Sequence, residues 1–187
     1  MLQSGTLPPM TQPVIAVFGS SRSRPGEPDY EQAVRLGTRL AEAGFAVTNG
    51  GYAGLMEAVS RGAAAANGSV IGVTVPTLFP DRPGANGFVT TEVSAESLTE
   101  RIHLMSESAA GSVVLPGSIG TLTELMIVWN DAYIATLRGE APRPIVAIRS
   151  AWEPTILHLT NALDTTSGLV TMVDDVDEVL EEITRHL

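Results

Sequence analysis

The sequence predicts an α/β fold, a doubly wound parallel sheet with helices on both faces. Short apolar stretches rich in β-branched residues, such as 14–18 and 70–75, alternate with longer segments whose apolar residues recur three and four apart. The short stretches are apolar at every position rather than at alternate ones. That is the pattern of strands covered on both faces, as parallel sheets are. Right-handed crossovers then make a Rossmann-like arrangement of about seven strands the economical solution. A length of 187 residues suits one domain, expected over 13–187, after a polar, Pro-rich segment over 1–12 expected to be a mobile tail.

Each element has a local reason. Residues 14–18 form the first strand and open into Gly19, Ser20 and Ser21. A helix over 28–43 follows, with Pro28 suited to a first turn, Ala33, Leu36, Leu40 and Ala43 on one face, and Gly44 at its end. Residues 45–48 read as a strand and 54–66 as an Ala-rich helix stopped by Asn67 and Gly68. A strand over 70–75 precedes a Pro- and Gly-rich loop over 77–87 and a fourth strand over 88–93. Then come a helix over 96–109, a strand over 112–115 and a long helix over 120–137. Strand 145–148, helix 154–163, strand 169–173 and helix 176–186 complete the chain.

Composition removes several function classes. There is no cysteine, which excludes disulfides, thiolate nucleophiles and thiolate zinc sites. All 11 basic residues are arginine, and without lysine neither a pyridoxal-phosphate Schiff base nor a Walker-type phosphate loop can form. The three histidines show no metal-ligand spacing, and no metal or other cofactor is expected. A net charge of −10 argues against a nucleic-acid surface. No run reaches the length of a membrane span, and no secretory signal precedes the first strand, so a cytoplasmic location is expected. Met10 is an alternative start.

Two glycine-rich loops stand out, each after a strand and before a helix. The first holds Gly50, Gly51, Tyr52 and Gly54; the second holds Pro116, Gly117, Ser118, Ile119, Gly120 and Thr121. A helix N-terminus presents unpaired N–H groups and partial positive charge, and glycine lets an anion approach them. Gly19 and Ser20 would form a third wall. The run after the first strand is not G-x-G-x-x-G, so a nicotinamide dehydrogenase is not expected.

Together GGYAGLMEA and LPGSIGTLTE resemble the LOG ("lonely guy") family, whose members are cytokinin riboside 5′-monophosphate phosphoribohydrolases and whose relatives were historically labelled lysine decarboxylases. The resemblance covers roughly 14–131, with IAVFGSS and VIGVTVP also matching. It implies a catalytic arginine at Arg101, a catalytic glutamate at Glu124, and a phosphate loop over 117–121. Four positions depart from the pattern. Ile102 stands for a lysine, Ser118 for the second glycine of PGG, Thr123 for a glutamate, and Tyr52 for the third glycine of GGG. The decarboxylase label fails for want of a lysine.

The chemistry is coherent with these residues. Cleaving an N-glycosidic bond builds positive charge on the ribose, which a carboxylate stabilises or answers by activating water. Glu124 and the phosphate loop lie on one helix, which would hold both ends of a ribose phosphate. Read without the resemblance, Glu124 is first a glutamate placed to favour the helix dipole, and Arg101 a solvated helix residue. Two functions therefore stand. The preferred one is hydrolysis of AMP or an N6-substituted AMP to free base and ribose 5-phosphate. The alternative is a non-catalytic carrier of a nucleotide or of molybdenum cofactor. A homodimer is expected, because 125–129 is apolar around more than one face of its helix; LOG-like proteins are typically dimers.

Overall fold

A computed structural model describes residues 3–4 (backbone only), 11–79, 81 and 84–187. Eight parallel strands form one sheet in the order β1-β5-β4-β3-β2-β6-β7-β8. They are β1 (Gln3–Ser4), β2 (Val14–Phe18), β3 (Ala46–Asn49), β4 (Val70–Thr74), β5 (Thr91–Ser94), β6 (Ala109–Val114), β7 (Ile145–Ile148) and β8 (Thr171–Val173). Six helices connect them: α1 (Pro28–Glu42), α2 (Leu55–Ala65), α3 (Leu98–Glu107), α4 (Ile119–Leu137), α5 (Arg149–Leu163) and α6 (Val176–Arg185). The doubly wound parallel sheet is as the sequence predicts, with β1 as an additional two-residue edge. β1 falls within the segment expected as a tail; most of that segment, including Met10, lies outside the described residues.

Alternation along β2 builds two cores. Val14, Ala16 and Phe18 face a layer completed by α3, α4 and α5, which contribute Met105, Leu125, Trp129 and Ile156. Ile15 and Val17 face the other layer, completed by α1, α2 and α6 through Leu36, Leu40, Val59 and Ile183. In the second layer α1 and α2 approach through glycines: a Cβ on Gly62 would stand 1.9 Å from the Val34 carbonyl oxygen.

Three elements begin away from where local pattern puts them. β6 starts at Ala109, because pairing with Val14 recruits Ala109 and a register shift follows before Gly111. β5 starts at Thr91, because the Asn86 side chain takes the Phe88 amide and holds a turn there. α5 starts at Arg149 and carries Pro154 inside it. Its first turn is anchored from outside, by Trp152 Nε1 donating to the Leu115 carbonyl at 3.0 Å and Arg149 pairing with Asp174 at 2.8 Å.

The chain leaves β2 toward β3, β4 and β5 on one side, and returns to β6 on the other. The crevice beyond the carboxyl ends of β2 and β6 is therefore the topological switch point, where open α/β sheets bind ligands.

Candidate functional site

The three glycine-bearing loops meet at this crevice and are stitched together by backbone. The Ser20 amide donates to the Pro116 carbonyl at 3.0 Å, and the Leu55 amide donates to the Ser20 carbonyl at 2.8 Å. Glycine is what lets them meet. A Cβ on Gly19 would press on Leu55 and Leu115, and one on Gly54 would stand 2.3 Å from the Ser20 carbonyl oxygen. Gly54 also has φ +76°, a left-handed conformation that glycine adopts without strain. Gly51 has φ +72° and receives its turn from Asn49, whose Oδ1 accepts from the Gly51 amide at 2.8 Å.

Arg101 is the fourth residue of α3, a helix started by Ser97, whose hydroxyl accepts from the Glu100 amide. It points inward and is 8% exposed. Its Nε donates to the Val73 carbonyl at 2.8 Å, Nη2 lies 3.6 Å from Met56 Sδ, and the guanidinium carbon lies 5.7 Å from the centre of the Tyr52 ring. It occupies the space beside Gly50, where a Cβ would stand 1.4 Å from Nη2. Its Nη1 lies 3.7 Å from Oε1 of Glu124.

Glu124, also 8% exposed, sits just past the first turn of α4. Burial pushes its carboxyl up to about 7, and the nearby Arg101 cation offsets only part of that rise. A carboxyl so tuned exchanges a proton near neutrality, which suits acid–base work. At the same helix start, Gly117, Ser118, Ile119 and Gly120 are exposed, and the Ser118 side chain caps no amide. Thr121 is buried, its hydroxyl folded under Gly117, where a Cβ would stand 2.2 Å from it. The exposed residues at the start of α4 thus lie near a buried carboxylate–guanidinium pair.

The residues named from sequence therefore gather at one crevice. Gly19, Gly50, Gly54 and Gly117 serve close packing there, whereas Gly120 opens to solvent with nothing within 4 Å of a Cβ. Ile102, where the family pattern has a lysine, is 5% exposed and packs in the core beneath α3. His103 points outward toward Glu107. Sequence reasoning placed Asn49 only in the turn after the second predicted strand, and it missed Asn86 and the use made of Tyr52. Asn86 donates from Nδ2 to the Gly51 and Tyr52 carbonyls, so the loop before β5 latches the loop after β3. No local motif announces that pairing. Two clefts, of about 340 and 260 Å³, lie along α4 and include neither Arg101 nor Glu124.

Comparison with known proteins gives the chain's relatives. The family model described as SLOG cluster4 matches residues 12–173. A cytokinin riboside 5′-monophosphate phosphoribohydrolase of Mycobacterium tuberculosis is 29% identical over 159 residues, covering 80% of this chain and 82% of that protein. One from Arabidopsis thaliana is 36% identical over 121 residues, covering 62% of this chain and 54% of that protein. Among solved structures, the molybdenum cofactor binding protein of Rippkaea orientalis superposes with a TM-score of 0.72 at 21% identity, covering 95% of this chain and 98% of that one. The Chlamydomonas molybdenum cofactor carrier gives 0.70 at 23% identity, covering 94% and 98%. At such identity these two structures speak for the fold alone. Among the described residues no helix is long and apolar enough to cross a membrane. The matched span of 12–173 takes in strands β2 to β8, the switch-point loops and the Arg101–Glu124 pair alike, and this chain belongs to the SLOG cluster4 family, a branch of the LOG family.

Proposed function

We propose that the protein is a phosphoribohydrolase that releases the base from AMP or an N6-substituted AMP, leaving ribose 5-phosphate. The observation that carries this reading is the buried Arg101–Glu124 pair beside the open start of α4. The phosphate would sit on the amides of 118–121, where the helix dipole favours an anion. The ribose would then lie against Glu124. With the carboxylate ionised, Glu124 stabilises the developing positive charge at the anomeric carbon or takes a proton from the attacking water. Arg101 keeps part of the carboxylate population ionised despite burial.

A carrier of nucleotide or molybdenum cofactor would use the same loops but has no need of a buried carboxyl poised near neutrality, and on that ground the enzyme is preferred. We further propose that a second copy of the chain covers the outer face of α4. The family resemblance implies a dimer, and that helix leaves Ile119, Tyr133 and Leu137 exposed.

The test is base release followed by chromatography, with AMP, N6-substituted AMP and the matching nucleosides as substrates. Turnover of the monophosphates alone is expected, since phosphate binding energy is needed at the reacting centre. Equal turnover of nucleosides, or tight nucleotide binding without any release, would overturn the reading.

A further inference from the structure

We propose that Tyr52 is a positioning residue, whose ring holds the Arg101 guanidinium at the Glu124 carboxyl. The inference deepens the reading above and rests on it for its catalytic consequence.

The ring is itself firmly placed. Its hydroxyl accepts from the Val75 amide at 2.8 Å, just past β4. Its own carbonyl accepts from Asn86 Nδ2 at 3.0 Å. Its ring meets Phe79 edge-on, with centres 5.4 Å apart and planes at 72°. At 5% exposure it is a fixed aromatic surface shared by the loops after β3 and β4 and the loop before β5.

Arginine is a long side chain, and its planar guanidinium is placed by the groups it meets. Val73 fixes Nε and Met56 borders Nη2. The aromatic ring adds an electrostatic attraction to the cation, whose central carbon lies 5.7 Å from the ring centre. So placed, Nη1 lies 3.7 Å from Oε1 of Glu124. Arg101, reaching across from α3, is the charged group whose interaction with Glu124 is resolved, and it lowers the carboxyl's proton affinity against the effect of burial. A loosened guanidinium would therefore leave Glu124 protonated to higher pH.

The experiment varies the ring's electrostatics at constant shape. Tyr52→Phe is made first, and position 52 is then filled with difluoro- and pentafluorophenylalanine, each fluorination weakening the attraction to a cation. The readout is the ¹³C-carboxyl titration of Glu124 in the whole protein, with thermal unfolding run alongside. Tyr52→Phe keeps the ring but loses the bond from the Val75 amide, and its midpoint is the starting point of the series. The midpoint should then climb along the fluorinated series, by about one pH unit in all if the cation–ring contact is worth its usual buried strength. A flat or falling series overturns the proposal. Kinetics add a second arm: Tyr52→Leu should lower kcat about tenfold with KM nearly unchanged, and Tyr52→Phe should restore it. Equal losses in Phe and Leu variants would assign the effect to the hydroxyl and also overturn it. If wild type released no base from any nucleotide, the proposed function would fall, and the titration series would still decide the role of Tyr52.

Discussion

Replacing Glu124 by glutamine should make the protein more stable and nearly inactive at once. In the folded chain the carboxyl is moved from 4.5 to about 7, chiefly by burial. The folded state therefore holds a proton that the unfolded state releases between those values. Stability must fall as pH rises through this window, because the native state binds more protons there. Each pKa unit corresponds to about 1.4 kcal/mol, so ionising the buried group costs the folded protein about 3 kcal/mol by pH 8. Glu124→Gln resembles the protonated carboxyl at every pH. At pH 4 it should match wild type, and at pH 8 it should exceed it by up to about 3 kcal/mol. Urea unfolding at intervals from pH 4 to 8 measures this directly. Base release should drop by roughly 100-fold or more in the variant, the low end for a positioned acid–base group, and wild-type kcat/KM should decline below pH 7 as the base becomes protonated. A variant that is less stable than wild type at pH 8, or that keeps the wild-type pH dependence, would refute the buried-carboxyl argument.

Two further substitutions test the packing. Gly50→Ala would place a Cβ 1.4 Å from Arg101 Nη2, although the backbone there lies outside the left-handed region. The arginine must move and weaken its bond to Val73, a loss of about 1.5–3 kcal/mol; thermal unfolding should register it, and base release should fall about 100-fold through misplacement. Gly62→Ala would gain about 1 kcal/mol from helix propensity alone. Its Cβ, however, meets the Val34 carbonyl oxygen at 1.9 Å, and backbone cannot yield as a side chain can. We expect a net loss of at least about 2 kcal/mol, read from the urea midpoint, with no change in the titration of Glu124.

Most of the architecture was legible because strand burial and helix periodicity are local signals. Strand β7 over Ile145–Ile148 and helix α4 show this well: apolar β-branched residues in one, a glycine-opened apolar run in the other. What escaped was set by partners distant in sequence. Ala109 joins β6 because Val14 lies beside it. Pro154 looks like a helix start, yet Trp152 and Arg149 pull the preceding turn into α5 by bonds to Leu115 and Asp174. The edge strand β1 pairs, among the described residues, with β5, through Gln3 and Ser4, which carry no apolar pattern. At the site, spacing and resemblance singled out Arg101 and Glu124, but not how they are held. Gly50 read as room for a ligand, and it is room for an arginine. Tyr52 was visible in the sequence as a member of the first glycine-rich loop. Its meaning required knowing that β4, three loops and α3 converge there.

The outer face of α4 leads to the last prediction. Thr121, Glu124, Leu125, Val128, Trp129 and Ala132 are buried against the chain's own core. Trp129 is included: it is 4% exposed and donates from Nε1 to the Thr166 carbonyl, so it is not available to a partner. At about 100° per residue, Ile119, Leu122, Met126, Tyr133 and Leu137 fall within about 60° of one another; Leu122 and Met126 are half-buried at the edge of that core, and Ile119, Tyr133 and Leu137 are exposed. Ile119 is 76% exposed and Leu137 69%. An apolar stripe running the length of a nineteen-residue helix is more than scattered surface hydrophobics. Its spacing of three and four residues suits packing against a helix, and a two-fold partner would present the same stripe. Because the stripe begins at Ile119, such a partner would border the amides at the start of α4 and narrow the open crevice. Light scattering on a sizing column should give twice the 19.6 kDa chain mass for wild type. Tyr133→Glu with Leu137→Glu should give the monomer, since association would bury two unpaired charges, whereas Trp129→Phe should leave the dimer intact. A wild-type monomer at micromolar concentration, or a dimer undisturbed by the two glutamates, would show that this face is not the interface.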